Sequence, residues 1–178
     1  MDVFVASRDE LIEWISSDKI PGSKRALISI SSPSSRMKIK YPKIKYLEEM
    51  AKKHFLLSLF LFFDDVEEFE GDPGAKPFDH DQAKLVLDFL DMVDKNRCDT
   101  IICQCEAGIS RSSAIAAFIL LREEVKNGKN VRKNWERRLR KLAKNAKRPL
   151  FPNMLVFRVL LEESSLPIFS IPLTISDE

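Results

Sequence analysis

A cysteine and an arginine with five residues between them provide the clearest chemical signal in this sequence. They are Cys105 and Arg111, in a segment that passes from β-branched residues through small and polar residues into an apolar stretch. This order predicts a strand through Cys103, a tight loop, and a helix that begins near Ser110. Such a loop can turn its backbone N–H groups inward to bind an anion, and the helix adds the positive end of its dipole.

A phosphate ester bound in that loop would lie beside a nucleophile. Arg111 can hold two phosphate oxygens with its planar guanidinium group, and Gly108 permits a backbone conformation that a side chain would hinder. A helix N-terminus and a nearby arginine favour the thiolate of Cys105 over its thiol, and the thiolate could attack phosphorus to form a phosphocysteine. We predict that no metal ion or other cofactor takes part. The predicted phosphate-binding residues are Glu106, Ala107, Gly108, Ile109, Ser110 and Arg111.

The run Cys105-Glu-Ala-Gly-Ile-Ser-Arg111-Ser112 matches the complete pattern C-x-A-G-x-S-R-S. It resembles the signature loop of the cysteine-based protein tyrosine and dual-specificity phosphatases. An apolar strand at Phe55–Phe63, an acidic loop and a helix at Asp79–Val93 follow the order of that family, so the resemblance covers about residues 55–121. It implies a compact phosphatase that hydrolyses phosphomonoesters, and it implies that the hydroxyl of Ser112 assists departure of the thiolate.

The resemblance also implies an aspartic acid that protonates the leaving oxygen. Three candidates precede the loop. Asp64 and Asp65 directly follow the strand Phe55–Phe63, and Asp72 begins an Asp-Pro-Gly sequence that weakly resembles the acid loop of the tyrosine phosphatases. We favour Asp65, because the acid of dual-specificity enzymes comes directly after that strand.

One position departs from the family pattern, since Gln104 stands where histidine usually precedes the nucleophile. Glutamine donates and accepts hydrogen bonds but carries no charge, so we expect a less acidic thiol and retained activity. One alternative is a pseudophosphatase, which would bind phosphorylated partners without turnover. It is supported by Gln104 and by the choice among three aspartates for the general acid. Cys103 is expected to pack in the sheet, with a redox or metal-binding role together with Cys105 as the alternative.

Short predicted strands alternate with helices along the chain and must position the loop. They are Val3–Ala6, Ala26–Ile30, Phe55–Phe63 and Thr100–Cys103. Ser7 and Glu10 have the spacing of a helix capping box. This alternation predicts an α/β fold with a mainly parallel central sheet flanked by helices, similar to the dual-specificity phosphatases, and ligands bind such sheets at the carboxyl ends of the strands. We predict one phosphatase domain over residues 1–165 and a C-terminal tail over 166–178.

Composition narrows the class of protein further. The chain has 178 residues, of which 44% are hydrophobic and 31% charged, as in a soluble globular domain. No stretch reaches the roughly 18 apolar residues that span a bilayer. Three cysteines, an odd number, argue against a disulfide framework. We therefore expect a reducing cytoplasm and no membrane partner.

The net charge of +2 hides an uneven distribution. Residues 122–148 contain twelve Lys or Arg and three Glu, a local excess of +9, which leaves −7 for the rest of the chain. The basic amphipathic helix predicted at Val131–Ala143 could bind nucleic acid, which makes an RNA or nucleotide phosphatase a second alternative. We favour a solvated helix face, with a phosphorylated protein or peptide as the substrate.

Overall fold

The computed structural model describes residues 1–33, 42–67, 74–128, 130–166 and 170–176, which form four strands and six helices. The strands are β1 (Asp2–Ser7), β2 (Arg25–Ser31), β3 (Leu57–Phe62) and β4 (Thr100–Cys105). The helices are α1 (Arg8–Ser16), α2 (Pro42–His54), α3 (His80–Lys95), α4 (Arg111–Asn127), α5 (Val131–Ala146) and α6 (Met154–Ser164).

Two helices begin at capping boxes that satisfy N–H groups of their first turns. At α1, Ser7 Oγ accepts a hydrogen bond from Glu10 N at 3.2 Å, and the Glu10 carboxylate accepts one from Ser7 N at 2.7 Å. Asp79 and Gln82 make the equivalent pair of bonds at α3. The capping box at Ser7 is the one predicted from the sequence, and Asp79 was one of the residues expected near the start of α3.

All four strands are parallel and lie in the order β1-β4-β2-β3. The predicted parallel α/β architecture is therefore confirmed. β4 lies between β1 and β2, and all six of its residues are buried. Parallel strands place their carboxyl ends at one edge, so the last residues of β1, β2 and β4 meet where the predicted loop begins.

Alternate residues of the strands pack into two hydrophobic clusters, one on each face of the sheet. On β4, Ile102 packs with the cluster beneath α1 and α2, whereas Ile101, Cys103 and Cys105 pack with the larger cluster beneath α4, α5 and α6. The two faces explain why the strand reads as continuously apolar up to Gln104, since helices cover both sides of a parallel sheet.

Several strands and helices extend a few residues beyond their predicted ends. The strand predicted to stop at Cys103 continues through Cys105, which pairs with Ser7 of β1. α4 runs from Arg111 to Asn127 and ends at Gly128, whose φ of 74° is the left-handed conformation that commonly terminates helices. Arg122, in the second half of α4, pairs with Asp91 and Asp94 of α3.

The C-terminal segment contacts the body of the protein where it is described. Ile175 is buried and forms an antiparallel bridge with Leu150, and Ile171 is also buried. The proposed boundary at residue 165 remains a prediction. No helix within the described ranges is both long and apolar enough to cross a membrane.

Candidate active site

The predicted phosphate loop joins the end of β4 to the start of α4. Cys105 is the last residue of β4 and is 2% exposed, and Arg111 is the first residue of α4 and is 4% exposed. Cys105 Sγ lies 3.0 Å from Ser112 Oγ, within hydrogen-bonding distance for sulfur. The hydroxyl of Ser112 is therefore placed to exchange a hydrogen bond with the sulfur of Cys105.

Packing against β1 and the start of α1 fixes the shape of the loop. Gly108 has a φ of 66°, and a Cβ atom there would collide with the backbone of Ala6 and Ser7. Only glycine fits this close approach without strain, as its position in the motif suggested. The carbonyl oxygen of Gly108 in turn accepts a 3.3 Å hydrogen bond from Nε of Arg148.

Arg148 is held in place by a bidentate ion pair that the sequence did not indicate. Its two Nη atoms donate to the Glu10 carboxylate at 2.6 and 2.7 Å. These hydrogen bonds lower the pKa of Glu10 to about 2, and the same contacts raise the pKa of Arg148. Glu10 thereby caps α1 and anchors Arg148 against the phosphate loop at the same time.

The end of β3 sets the position of the Arg111 side chain. Nη1 of Arg111 donates to the carbonyl oxygen of Phe63 at 2.8 Å and to Ser32 Oγ at 3.2 Å. Nε is buried and has no hydrogen-bond partner among the described residues. A buried N–H without a partner is costly, so an oxygen of a bound phosphate would satisfy a group that the protein leaves free.

The structure separates the candidates for the general acid. Asp65 Oδ1 accepts hydrogen bonds from Ser110 Oγ and Asn153 Nδ2, both at 2.8 Å, and Oδ2 lies 3.9 Å from Arg111 Nε. Asp64 instead accepts a hydrogen bond from the backbone N–H of Lys76 at 2.9 Å. Its side chain therefore contacts the segment that precedes α3. Asp72 lies outside the described residues. Of the two candidates that the structure places, Asp65 is the one beside Arg111.

Asn153 connects Asp65, the predicted phosphate loop and α6, a role that the sequence did not indicate. Its side chain is fully buried. Nδ2 donates to Asp65 Oδ1 and to the carbonyl oxygen of Val66, Oδ1 accepts from Val156 N at the start of α6, and the backbone N–H donates to Ser110 O. An asparagine before an apolar helix signals an N-cap, but its second contact, across 88 residues, depends on the fold.

The first turn of α4 has no side-chain cap. Ser110 occupies the N-cap position, yet its hydroxyl donates to Asp65 and makes no capping hydrogen bond. The N–H groups at the start of α4 therefore lack the usual side-chain acceptor. Unpaired N–H groups at the positive end of a helix dipole favour an anion, which supports the predicted location of the phosphate.

A second buried arginine lies beside the loop. Arg8, the first residue of α1, donates to Glu106 Oε1 at 3.2 Å and to Ser31 Oγ at 3.3 Å. The other carboxylate oxygen of Glu106 lies 3.7 Å from Arg111 Nη2. Glu106 thus bridges two arginines at the exposed rim of the loop, and its charge is balanced on both sides.

Gln104, which stands in place of the family's histidine, is fully buried on the α1 face of β4. Its Oε1 accepts a 2.6 Å hydrogen bond from Ser29 Oγ, whereas Nε2 has no partner among the described residues. The residue therefore links β4 to β2 at the base of the loop. It brings no charge to the site, as expected from the sequence.

The other cysteines have structural positions. Cys103 is fully buried in β4, and this burial raises the pKa of its thiol. All three cysteines are free, and no group of three or more potential ligands for a metal ion occurs in the described part of the chain. These features agree with the packing role expected for Cys103.

Comparisons with known proteins identify the fold. No family model matches the chain, and no curated protein matches it. Three solved structures share its fold at low sequence identity. PTPMT1 in complex with PI(5)P has a TM-score of 0.51 and 14% identity, and the match covers 92% of this chain and 90% of that one. OH1, a tyrosine phosphatase of Orf virus, has a TM-score of 0.51 and 11% identity over 90% and 81%. Tk-PTP in its active form has a TM-score of 0.50 and 15% identity over 93% and 92%. The chain therefore shares the fold of these structures, which confirms the predicted α/β fold.

Proposed function

We propose that this chain is a cysteine-dependent phosphatase that hydrolyses phosphomonoesters through a phosphocysteine intermediate. The observation that carries the proposal is the convergence of Cys105, Ser112, Arg111 and Asp65 at one edge of the sheet. The nucleophile and the guanidinium group are supplied by adjoining elements, and the acid comes from the loop after β3. The fold shared with a tyrosine phosphatase adds support.

In the first proposed step, Sγ of Cys105 attacks phosphorus and the bond to the leaving oxygen breaks. The N–H groups of the loop and the guanidinium group of Arg111 stabilise the three equatorial oxygens. Asp65 donates a proton to the leaving oxygen as it departs. Because Oδ1 of Asp65 accepts two hydrogen bonds, Oδ2 is the oxygen left to carry that proton.

In the second step, a water molecule attacks phosphorus while Asp65, now ionised, accepts its proton. The sulfur–phosphorus bond breaks, and inorganic phosphate and the thiolate of Cys105 form. Ser112 Oγ, 3.0 Å from Sγ, donates a hydrogen bond to the departing thiolate. These steps need no metal ion and no cofactor.

The proposed substrates are phosphotyrosine or phosphoserine and phosphothreonine in proteins, which makes the chain a protein tyrosine or dual-specificity phosphatase. OH1 supports this class because it is a tyrosine phosphatase. PTPMT1, in contrast, has been solved with the phospholipid PI(5)P, so the shared fold also accommodates other phosphomonoesters. We place the chain in the cytoplasm, where a reducing environment would keep the free thiols active.

Hydrolysis of p-nitrophenyl phosphate by the purified chain tests the proposal. Wild-type protein should release phosphate in the presence of a chelator, and Cys105→Ser should abolish turnover while retaining phosphate binding, since backbone N–H groups form much of the cradle. Ser112→Ala should accumulate a phosphoryl group on Cys105, detectable by mass spectrometry after acid quenching. Binding of phosphopeptide without turnover by the wild type would instead identify a pseudophosphatase.

A further inference from the structure

Five basic residues on α5 and just beyond it form what we call the cationic stripe. All five are exposed, and no side chain among them forms an ion pair or a hydrogen bond within the described ranges of the chain. They are Lys133, Arg137, Arg140, Lys144 and Lys147. Their spacing alternates between four and three residues, which places them on one face of a helix.

The stripe lies opposite the side of α5 that packs on the core. Trp135, Leu139 and Leu142 are buried beneath the helix. With a rise of about 1.5 Å per residue, the stripe extends about 21 Å along the helix axis. It therefore forms a straight, solvent-facing row of positive charge.

The other basic residues of α5 differ from those of the stripe because each one lies close to a carboxylate group. Arg138 pairs with Glu123 and Glu124 of α4, and Lys141 lies 3.6 Å from Asp2 of β1. Arg132 pairs with Glu136 on the helix itself. Like charges three and four residues apart repel one another, so the unpaired stripe is unfavourable for the isolated helix. A polyanionic partner would remove that repulsion.

One end of the stripe adjoins the phosphate loop. Lys147 directly precedes Arg148, which donates to the carbonyl oxygen of Gly108. A few residues later, the backbone N–H of Phe151 donates to the carbonyl oxygen of Ile109, and the Phe151 side chain is 52% exposed. An exposed aromatic residue and the end of the row of cations thus both lie within a few residues of the chain's contacts with the loop where phosphate is proposed to bind.

We propose that the cationic stripe binds a single strand of nucleic acid whose terminal phosphate lies in the loop at Cys105. The inference rests on the proposed phosphatase function and adds a second substrate class to the phosphoproteins proposed above. Proteins that bind single strands without sequence preference combine a basic track along the backbone with aromatic rings that stack on bases. The stripe supplies the track, and Phe151 supplies a ring for the terminal base.

The course of the helices favours a linear partner over a flat one. α4 begins at the phosphate loop and leads away from it, and α5 returns to the loop at Arg148. The stripe consequently extends away from the site along the side of the molecule. A flexible chain can follow this course from its terminal phosphate, whereas a flat membrane that presents a headgroup to the loop would meet mainly the near end of the stripe.

Binding of a 5′-phosphorylated single-stranded RNA oligonucleotide, labelled at its 3′ end, tests the proposal by fluorescence anisotropy. The Cys105→Ser variant serves as the background, so that turnover does not intervene. Binding through five phosphate contacts predicts a slope of about −3.5 in a plot of log K against log salt concentration. In this background, Lys133→Glu/Lys144→Glu should weaken binding by about tenfold or more and reduce the magnitude of the slope by at least about 1.4.

Lys52→Glu/Lys53→Glu on α2 is the matched control, because it changes the net charge equally at two exposed helical lysines away from the stripe. It should weaken binding much less. Phe151→Ala should weaken binding severalfold without changing the salt slope, since stacking releases no counterions. Circular dichroism melting establishes that each variant is folded.

Equal weakening by the two double substitutions would overturn the proposal, because attraction would then depend only on net charge. Stripe-dependent binding of an acidic phosphopeptide or of anionic vesicles, with no binding of RNA, would also overturn it. Turnover of p-nitrophenyl phosphate without salt-dependent RNA binding would refute the stripe proposal alone. Salt-dependent RNA binding without any turnover by the wild type would refute the phosphatase function alone.

Discussion

Replacing Asn153 by serine should slow the reaction mainly when the leaving group needs a proton. Serine is a good helix N-cap and can still serve Val156 N, but it is too short to replace the amide that donates to Asp65. Ser110→Ala removes the other hydrogen bond to the same carboxylate oxygen, and it leaves helix capping untouched because Ser110 makes no capping bond. The two variants therefore remove two different hydrogen bonds to the same oxygen atom, Oδ1 of Asp65.

The expected size of the effect follows from the hydrogen bonds. A hydrogen bond to a charged group contributes about 1.5–3 kcal/mol, and each 1.4 kcal/mol corresponds to about tenfold in rate. If either bond holds Asp65 in its productive position, its loss should reduce kcat by about 10–100-fold. The reduction should not exceed that of Asp65→Asn, for which removal of a general acid predicts about 10²–10⁴-fold.

The assay compares two substrates that differ in their leaving group. Phosphotyrosine releases a poor leaving group and needs the proton, whereas an aryl phosphate with a very acidic phenol departs without one. Asn153→Ser and Ser110→Ala should each lower kcat on phosphotyrosine and change kcat on the activated ester much less. Asn153→Ala, which also removes the cap, should in addition lose about 1 kcal/mol of stability.

A double-mutant cycle decides whether these residues act through the acid. In an Asp65→Asn background, Ser110→Ala and Asn153→Ser should have little further effect on kcat, because the group that they position is already absent. Equal losses on both substrates would refute the reasoning. So would additive losses in the Asp65→Asn background, since Asn153 and Ser110 would then support the phosphate loop and not the acid.

Three further predictions concern the cradle and its support. Arg111→Lys should lower kcat/KM by about 10²–10³-fold on any phosphomonoester, because lysine cannot form the bidentate contact; a loss below about tenfold would mean that Arg111 does not bind the phosphate. Gln104→His should speed alkylation of Cys105 by iodoacetamide at neutral pH, because it places a group that can carry positive charge at the base of the loop; unchanged or slower alkylation would contradict this. The hydrogen bonds from Arg148 lower the pKa of Glu10 from 4.5 to about 2, so their stabilising effect is complete above pH 4.5 and is lost as the pH falls towards 2. Urea denaturation should therefore show a smaller loss of stability over this range for Arg148→Met than for the wild type, and equal losses would show that the pair does not contribute.

Local patterns in the sequence were sufficient to predict much of the fold. The capping box at Ser7 depends on residues within one turn of a helix, and the strand–loop–helix around Cys105 is a contiguous segment. Alternation of strands and helices led to a parallel sheet because chain connections of that length are compatible with few other arrangements. The strand order β1-β4-β2-β3 did not follow from these patterns, since it depends on which strands pair across long separations.

In the candidate site, too, the residues of a local motif could be predicted, whereas those brought together by long-range contacts could not. The sequence alone was enough to predict Cys105 as the nucleophile, Arg111 as the phosphate-binding group and Ser112 as the assisting hydroxyl. These three residues lie in one short motif whose backbone positions them. Only the tertiary structure decided what surrounds that motif. Asn153 approaches Asp65, and Arg148 approaches Glu10, across 88 and 138 residues of chain. Such contacts form at the edge of the sheet where parallel strands have their carboxyl ends. A local sequence pattern does not predict which distant side chains lie at that edge.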